Sequence, residues 1–201
     1  RTVAVAEDGR VFIGNDAGVF TVRGPYVSDL IPLHNKSSAR SLAIGPDERV
    51  YVGGSNELGY LAPTRVGELR YESLLAYLPE RYRTFQEVQV VRTFGASVYF
   101  YAFRQLMRWT PATGTMKVWR FDHVSVLVKE ASEPVLQDMA EGSLKRLVGD
   151  TWQTYLRAPD VLAYFDRPGT SNGPTEALNG RLEHLRGSAL GFRNLTNYIA
   201  R

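Results

Sequence analysis

The chain has 201 residues, 44% of them hydrophobic, which is enough to bury the core of one or two domains. Its 24 basic and 21 acidic residues leave a net charge of +3, too small by itself to indicate a nucleic-acid partner. The absence of cysteine excludes disulfides and thiolate metal sites, and no segment approaches the roughly 18 apolar residues of a membrane helix. Eighteen glycines and ten prolines without helical runs favour a turn-rich β protein.

The first 22 residues alternate between strand-like and turn-like segments, and this pattern recurs further along the chain. Val3, Val5 and all of residues 11–13 and 19–22 are β-branched or aromatic, and an Asp8-Gly9 turn separates the first two segments. Residues 40–63 repeat this pattern with an offset of 39, since Val50 takes the place of Val11. Because the sequence starts at Arg1, inside a strand-like segment without a signal peptide, we interpret it as a fragment at both ends.

Two further copies follow. The third, at residues 88–119, is offset by 48 from the second (Val98 against Val50), and residues 64–82 are interpreted as an insertion. A fourth, weaker copy runs from Val124 to Trp152. Repeats of about 40 residues with about four short strands each are typical of β-propeller blades. A β-sandwich also has short, evenly spaced strands and stays open as the alternative.

The fixed order of the strands within each copy favours the propeller. We therefore predict a mainly β fold with three to four consecutive blades in an open arc, followed by a short α-helical appendage at the C-terminus. Such an arc leaves unpaired edge strands, so self-association through the open blade edges is expected.

Candidate site residues are few in this part of the chain. Asp8, Asp16 and Asp47 lie in predicted turns, where aspartate binds backbone N–H groups, and a carboxylate site is the less favoured alternative. His34 and His123 lack neighbours at ligand spacing and are predicted to be surface or loop residues. No phosphate loop, nucleophile elbow or zinc-protease helix is present in the sequence.

Four aromatic residues in the third copy allow two interpretations. Tyr99, Tyr101, Phe103 and Trp109 could line a face that binds sugars or peptides. Aromatic residues at strand spacing serve more often in core and cross-strand packing, and we favour that interpretation.

Several segments of this part resemble the sensor propellers of bacterial two-component regulators. They are 56–61 (NELGYL), 67–71 (GELRY), 73–75 (SLL), 78–79 (LP), 98–100 (VYF), 106–109 (LMRW) and 144–152 (LKRLVGDTW). The resemblance covers about residues 1–156 and implies a non-enzymatic, ligand-binding input domain, with an unknown ligand, that works outside the cytoplasm. Members of that family have many more blades than four. The chain as written lacks a signal peptide and would stay in the cytoplasm.

The sequence changes character near residue 157. Residues 167–173 have turn composition, Pro174 suits a first helical position, and Leu178, Leu182 and Leu185 predict an amphipathic helix over 175–186. From spacing alone, the opposite face with Glu176 is interpreted as a solvated polar surface.

Residues 163–201 closely resemble the C-terminal end of DDE insertion-sequence transposases of the ISL-three group. The resemblance implies that Glu176 corresponds to the third catalytic acid, with Asn179 and Arg181 beside it, and that residues 191–194 begin the next helix. Glu176 would bind a metal only together with partner carboxylates, and the intact family uses Mg²⁺. We predict a partial sensor propeller at 1–156 and a transposase fragment at 157–201.

One carboxylate cannot hold the two divalent ions that activate a nucleophile and stabilise the leaving oxygen in such enzymes. The other two acids of the family lie upstream, where this chain has propeller-like sequence. We therefore predict that Glu176 is idle, that no cofactor is bound, and that the chain joins a truncated sensor to an inactive transposase fragment. Residues 157–201 carry a charge of +2, from six arginines and four acids, and DNA is a possible partner. The alternative function is that of a DDE transposase in DNA transposition.

Overall fold

The computed structural model describes residues 2–23, 26–123, 125–127 and 133–157. These residues form a mainly β structure of four antiparallel sheets with four strands each. The chain divides into two compact units, Arg1–Tyr155 and Leu156–Arg201. Glu176 and the helix predicted over 175–186 lie outside the described residues.

In sheets 1 and 2, each strand pairs with the next one along the chain. Sheet 1 consists of β1 (Thr2–Val5), β2 (Val11–Asn15), β3 (Gly18–Arg23) and β4 (Tyr26–Ile31). Sheet 2 consists of β5 (Ser41–Ile44), β6 (Val50–Gly54), β7 (Glu57–Pro63) and β8 (Leu69–Ser73). The simple order reflects short turns, which allow antiparallel neighbours to pair directly.

Sheets 3 and 4 have the same topology. Sheet 3 consists of β9 (Val90–Phe94), β10 (Ser97–Ala102), β11 (Gln105–Thr110) and β12 (Thr115–Arg120). Sheet 4 consists of β13 (Ser125–Leu127), β14 (Val135–Asp138), β15 (Ser143–Val148) and β16 (Thr151–Arg157). The four predicted sequence copies therefore correspond to four sheets, in the predicted order.

Two parts of the repeat prediction were wrong. The interpretation of 64–82 as an insertion overlooked β8, and only the segment after it, with 3₁₀ turns at Leu75–Tyr77 and Glu80–Tyr82, lies between two sheets. The turn composition of residues 53–56 (GGSN) also predicts a break there, but Gly53 and Gly54 continue β6, and only Ser55 and Asn56 separate it from β7. A Cβ at Gly53 would strike the Val88 side chain, so the close packing of the next segment explains glycine there.

Three apolar cores separate successive sheets. The core between sheets 1 and 2 includes Phe12, Val19, Val50, Val52 and Leu61. The core between sheets 2 and 3 includes Tyr51, Leu58, Val98, Phe100 and Met107. The core between sheets 3 and 4 includes Tyr101, Leu106, Leu127, Leu136 and Leu147. Sheets 2 and 3 are thus covered on both faces, since alternate residues of each strand enter different cores.

The first strands of sheets 1, 2 and 3 lie side by side. Side-chain hydroxyls join them: Thr2 Oγ1 accepts a hydrogen bond from the Leu42 amide at 3.3 Å, and Ser41 Oγ accepts one from the Val91 amide at 2.8 Å. Thr93 Oγ1 donates to the Ile44 carbonyl at 2.6 Å. These bonds fix the relative height of the three strands. Over the described residues, none of the helices has the length and apolar character needed to cross a membrane.

Candidate ligand site on the first strands

A cavity of about 420 Å³ lies along the first strands of sheets 1, 2 and 3. Its described lining comes from β1, β5 and β9 and consists of Val3, Ala4, Leu42, Ala43, Ile44, Val91, Arg92, Thr93 and Phe94. Seven of these nine residues have apolar side chains. Arg92 is the only charged side chain among these described residues.

The alternation of β9 explains this lining. Val91 is buried in the core with sheet 2, so its neighbour Arg92 must point to the other side of the strand and is exposed. Thr93 is held by its hydrogen bond to Ile44, which keeps β9 against β5. A guanidinium beside an apolar wall suits a small ligand with an anionic group and a hydrocarbon part.

A second cavity, of about 730 Å³, lies between the outer strands of sheets 1 and 2. Two of its charged residues form ion pairs: Arg10 Nε contacts Asp8 Oδ2 at 2.6 Å, and Arg70 Nε contacts Glu72 Oε1 at 2.5 Å. The lining also includes His34, whose ring meets the Tyr71 ring edge-on with centroids 5.4 Å apart. The lining of this groove holds arginine and carboxylate side chains together, whereas the described lining of the first cavity holds one arginine and no carboxylate.

Behind the second cavity, a buried carboxylate joins β7 to β8. Glu57 is 2% exposed, and its Oε1 accepts hydrogen bonds from Tyr71 OH at 3.1 Å and Ser73 Oγ at 2.5 Å. Burial, with the charge and hydrogen bond of Glu57, raises the pKa of Tyr71. Both donors come from the neighbouring strand, so the group serves to hold the sheet together. Sequence analysis missed this hydrogen-bonded carboxylate. Its signal is a charged residue, Glu57, at the start of the apolar strand β7.

The turn interpretation of the aspartates is confirmed for Asp8 and Asp47. Asp8 Oδ1 accepts from the Arg10 amide at 3.0 Å, and Asp47 Oδ1 accepts from the Arg49 amide at 3.4 Å. Asp47 Oδ2 also accepts a hydrogen bond from Tyr51 OH at 2.9 Å. Burial first, and Asp47 second, raises the pKa of Tyr51. Asp16 lies in a turn and contacts Arg40 at 3.7 Å.

The packing interpretation of the aromatic residues is also confirmed. Tyr99 and Tyr101 are buried in the core between sheets 3 and 4, and Trp109 in the core between sheets 2 and 3. Tyr101 OH donates to the carbonyls of Phe103 and Ser125. Phe103 itself is 37% exposed, in a turn. The less favoured alternative, an aromatic binding face made of these four residues, therefore does not form. His34 and His123 are exposed, as predicted.

The carboxylates of sheet 4 are bound by cations. Asp138 and Glu141 each contact Lys145 Nζ at 2.9 Å. Asp150 contacts Arg108 Nη2 at 2.8 Å and Lys117 Nζ at 2.5 Å. Within the described ranges, no group of three histidine or carboxylate side chains could hold a metal ion. These residues do not fit a two-metal site.

The ion pairs lower the pKa of each of these three carboxyl groups. Lys117, with Arg108 beside it, lowers the pKa of Asp150. Desolvation would raise the pKa of Asp138, but hydrogen bonds from Lys145 and from two backbone amides outweigh it and lower that pKa. Lys145 also lowers the pKa of Glu141. The acids are thus stabilised in their charged form by lysine and arginine.

The sequence matches the family of ISL3-type DDE transposases over residues 100–201, just over half of the chain. The chain belongs to this transposase family. The match begins inside β10 and so includes β11–β16. It reaches much further upstream than the resemblance at 163–201 on which the sequence analysis relied. Glu176 lies within the matched range.

No curated protein matches the sequence. Among solved structures, virginiamycin B lyase from Staphylococcus aureus is 14% identical with a TM-score of 0.56, covering 76% of this chain and 54% of that one. The extracellular domains of two hybrid two-component systems from B. thetaiotaomicron are 15% and 14% identical, with TM-scores of 0.53 and 0.50. They cover 76% and 77% of this chain, and 20% and 22% of their own lengths.

These identities show similarity of fold alone, and the neighbours are propeller-like. The chain spans about half the length of the lyases and about a fifth of the sensor domains. The predicted resemblance to two-component sensor propellers and to DDE transposases is therefore confirmed.

Proposed function

We propose that the four sheets are part of a sensor propeller that binds a small ligand and catalyses no reaction, and that residues 157–201 are an inactive transposase fragment. The proposal rests on the cavity along β1, β5 and β9, where Arg92 stands at an apolar wall. The similarity of fold to extracellular domains of two-component systems supports it. In this proposal the sheets are consecutive blades of an open arc, a helical appendage follows, and the module works outside the cytoplasm.

The lining chemistry defines the ligand class. Ala4, Leu42 and Val91 are buried in the cores between the sheets, so the accessible apolar lining comes from Val3, Ala43, Ile44 and Phe94. These four side chains favour a hydrocarbon group. Arg92 favours a carboxylate or phosphate. We therefore propose a small ligand with one anionic group and a short apolar part.

Isothermal titration calorimetry on the full chain tests this proposal, with linear monocarboxylates from butanoate to decanoate as probes. We expect one of them to bind, and Arg92→Gln to weaken that binding at least tenfold, because the guanidinium contact is lost. Arg65→Gln is the matched control, since it removes the same charge from an exposed turn outside the cavity. Absence of binding by every probe, or equal loss in both variants, contradicts the proposal.

A second candidate function is DNA binding and transposition, which the family match favours. In that case Glu176 would serve as the third acid and hold Mg²⁺ with two other carboxylates; the metal would activate the nucleophile of a phosphoryl transfer. The described acids Asp138, Glu141 and Asp150 are each bound to lysine or arginine, which argues against them as partners.

DNA binding at low salt and Mg²⁺-dependent strand cleavage distinguish the two candidates. The sensor proposal expects no cleavage, and any DNA binding should weaken steeply as salt rises. Cleavage that is lost in Glu176→Gln would establish the transposase function. Absence of DNA binding at low salt rules out even a residual role.

The proposed junction near Arg157 has its own test at the level of the gene. Long reads of the source DNA that cross the codons for residues 155–161 would support one continuous fusion. If no single read crosses them, the two parts belong to separate proteins.

A further inference from the structure

Four exposed arginines gather at one end of sheet 3. Arg104 lies in the turn between β10 and β11, and Arg120 is the last residue of β12. Arg81 and Arg83 lie in and directly after the second 3₁₀ turn of the segment that joins sheet 2 to sheet 3. We call these four residues, together with the exposed Phe103 of the β10–β11 turn, the arginine face. Apolar cores join sheet 3 to sheets 2 and 4, so this face lies within the series of sheets and not at its end.

A buried glutamine holds the joining segment against this end of sheet 3. Gln105 is 6% exposed, and its Nε2 donates a hydrogen bond to the Tyr82 carbonyl at 2.9 Å. Tyr82 stands between Arg81 and Arg83 in the sequence, so this bond brings both arginines to the start of β11.

The strand pairing places the other two arginines beside them. Arg120 lies directly opposite Gln105, so the two side chains leave the same face of sheet 3. The Arg104 carbonyl accepts a hydrogen bond from the Phe121 amide at 2.8 Å, which holds the β10–β11 turn against the end of β12. All four arginines therefore lie on one continuous surface.

The rest of the described chain does not neutralise these guanidinium groups. None of the four arginines forms an ion pair with a described carboxylate. Arg81 stacks on the Tyr82 ring, with its Cζ 4.7 Å from the ring centroid, and Arg83 Nε donates to the Leu78 carbonyl at 3.0 Å. Five other described arginines do contact carboxylates, and they are Arg10, Arg40, Arg49, Arg70 and Arg108.

Two exposed acids, Glu80 and Asp122, border the arginine face. Four positive charges against two negative ones leave a formal charge of +2. A guanidinium is weakly hydrated and presents a planar fork that matches phosphate oxygens. The arginine face therefore favours an anionic partner that carries phosphate groups.

Phe103 adds an apolar tip to this face. Its side chain is 37% exposed, and its φ of 34° lies in the left-handed region, which bulky residues rarely adopt. The Phe103 carbonyl accepts hydrogen bonds from Tyr101 OH at 2.8 Å and from the Ser125 amide at 3.4 Å, and these bonds hold the turn in place. A disfavoured backbone conformation that keeps a large apolar ring in water is a feature of contact sites.

We propose that the arginine face binds the surface of an anionic lipid membrane. The guanidinium groups contact the headgroup phosphates, and the Phe103 ring enters the boundary between the headgroups and the acyl chains. Basic and aromatic side chains together hold peripheral proteins at this boundary. The contact is separate from the cavity along β1, β5 and β9, whose described lining includes none of these residues. The inference does not depend on the ligand proposed above.

Single-stranded nucleic acid fits the arginine face less well. It binds best in a charged groove with open rings on which successive bases stack. One side of the Tyr82 ring is covered by Arg81, and Phe103 offers a single ring. Neither of the two cavities described above is lined by these arginines. An acidic peptide would contact the arginines but would leave the exposed ring unexplained.

Co-sedimentation of the full chain with lipid vesicles tests the proposal. One set of vesicles is pure phosphatidylcholine, and the other contains about 30% phosphatidylglycerol, which supplies a negative surface potential. We expect binding to the second set only, and a steep loss of binding between about 50 and about 500 mM NaCl, because salt screens exposed charges. Equal binding to both sets, or binding to neither at low salt, overturns the proposal.

Two double variants of equal net charge locate the contact. Arg81→Gln with Arg120→Gln should weaken vesicle binding at least tenfold, since each arginine near an anionic surface contributes a factor of about five. Arg65→Gln with Arg146→Gln removes two exposed charges outside the arginine face and should weaken it by less than about threefold, because distant charges are screened. Circular dichroism establishes that both double variants fold. Equal losses overturn the proposal, because net charge alone would then account for the binding.

Two soluble polyanions separate the membrane from other anionic partners. Fluorescence anisotropy measures binding of labelled polyglutamate and of a labelled thymidine oligonucleotide of about 20 nucleotides. We expect both to bind more weakly than the phosphatidylglycerol vesicles. Tighter binding of either probe, lost in the Arg81→Gln and Arg120→Gln double variant, overturns the proposal in favour of that class of partner.

Phe103→Trp reports directly on entry into the membrane. After subtraction of the emission of the unsubstituted chain, the added tryptophan should shift to shorter wavelength when phosphatidylglycerol vesicles are present, because the ring leaves water. Pure phosphatidylcholine vesicles should cause no shift. Emission that stays unchanged with both kinds of vesicle overturns the proposal, because the turn would then not enter the membrane.

Discussion

Sheets 1 and 2 have nearly the same sequence pattern and very different surroundings. Val11 and Ile13 occupy the positions that Val50 and Val52 occupy 39 residues later. Val50 and Val52 are buried, whereas Val11 and Ile13 are only half-buried on an uncovered face. The alternation of a strand therefore decides which side chains share a face, and the neighbouring sheet decides whether that face is removed from water.

The largest effect expected from this comparison is that of a charge at matched positions. Val52→Lys should prevent stable folding, because Val52 is fully buried and an unpaired ammonium there costs several kcal/mol. Ile13→Lys should lower the free energy of unfolding by about 1 kcal/mol at most, because its head group reaches water. Urea unfolding of both variants measures the difference. Equal losses would show that this face of sheet 1 is covered in the folded chain.

Glu57 marks a second difference between the two sheets, since sheet 1 has Gly18 at the matched position. Tyr71→Phe removes one of the two hydroxyl donors to the buried carboxylate, and we expect it to lower the free energy of unfolding by about 1–3 kcal/mol. Tyr60→Phe, in the adjacent strand β7, removes a hydroxyl that does not serve Glu57. A loss in Tyr71→Phe no larger than in this control would contradict the role assigned to the network.

The smallest effect is expected at the ion pairs of sheet 4, among which Asp150 contacts Arg108 and Lys117 of sheet 3. Asp138, Glu141 and Asp150 have lowered pKa values in the folded chain. Their contribution to stability is present above the ordinary values of 3.8 and 4.5 and is lost as the pH falls through and below them.

Thermal unfolding between about pH 3 and pH 7 measures this contribution. Asp150→Asn should lower the midpoint slightly near neutral pH and reduce its fall in acid, because one titrating group is removed. Asp122→Asn, at an exposed position, is the control and should retain the wild-type pH profile. An unchanged profile in Asp150→Asn would mean that the contacts of Asp150 with Arg108 and Lys117 do not stabilise the fold.

The sequence was sufficient to place most strands, because their apolar residues alternate between Gly-, Asp- and Pro-containing turns. It missed β8, whose segment LRYES mixes charged and apolar residues at the outer edge of sheet 2. It also predicted a strand break at Gly53. Glycine is needed there because the Val88 side chain, from a later part of the chain, packs against the backbone. Such distant contacts leave no local signal.

The candidate site was beyond prediction for the same reason. The cavity brings together Val3, Leu42 and Arg92, which are far apart in the sequence. The packing of successive sheets and the hydrogen bonds between β1, β5 and β9 place these residues side by side. The aromatic alternative failed because Tyr99, Tyr101 and Trp109 all alternate into cores. The role of Glu176, outside the described residues, stays a prediction.

Membership in the transposase family and the observed fold meet in residues 100–157. That range lies within the family match, yet its described residues form strands β10–β16 of sheets 3 and 4, with carboxylates tied to lysine and arginine. A family relationship assigned from sequence therefore does not by itself supply a catalytic site.

Backbone NMR assignment of the full chain tests this central claim most directly. We predict extended-strand Cα shifts over residues 97–102, 105–110, 115–120, 135–138 and 143–148, with cross-strand contacts between Phe100 and Met107 and between Leu136 and Lys145. Helical shifts in these ranges, or the absence of those cross-strand contacts, would contradict the account.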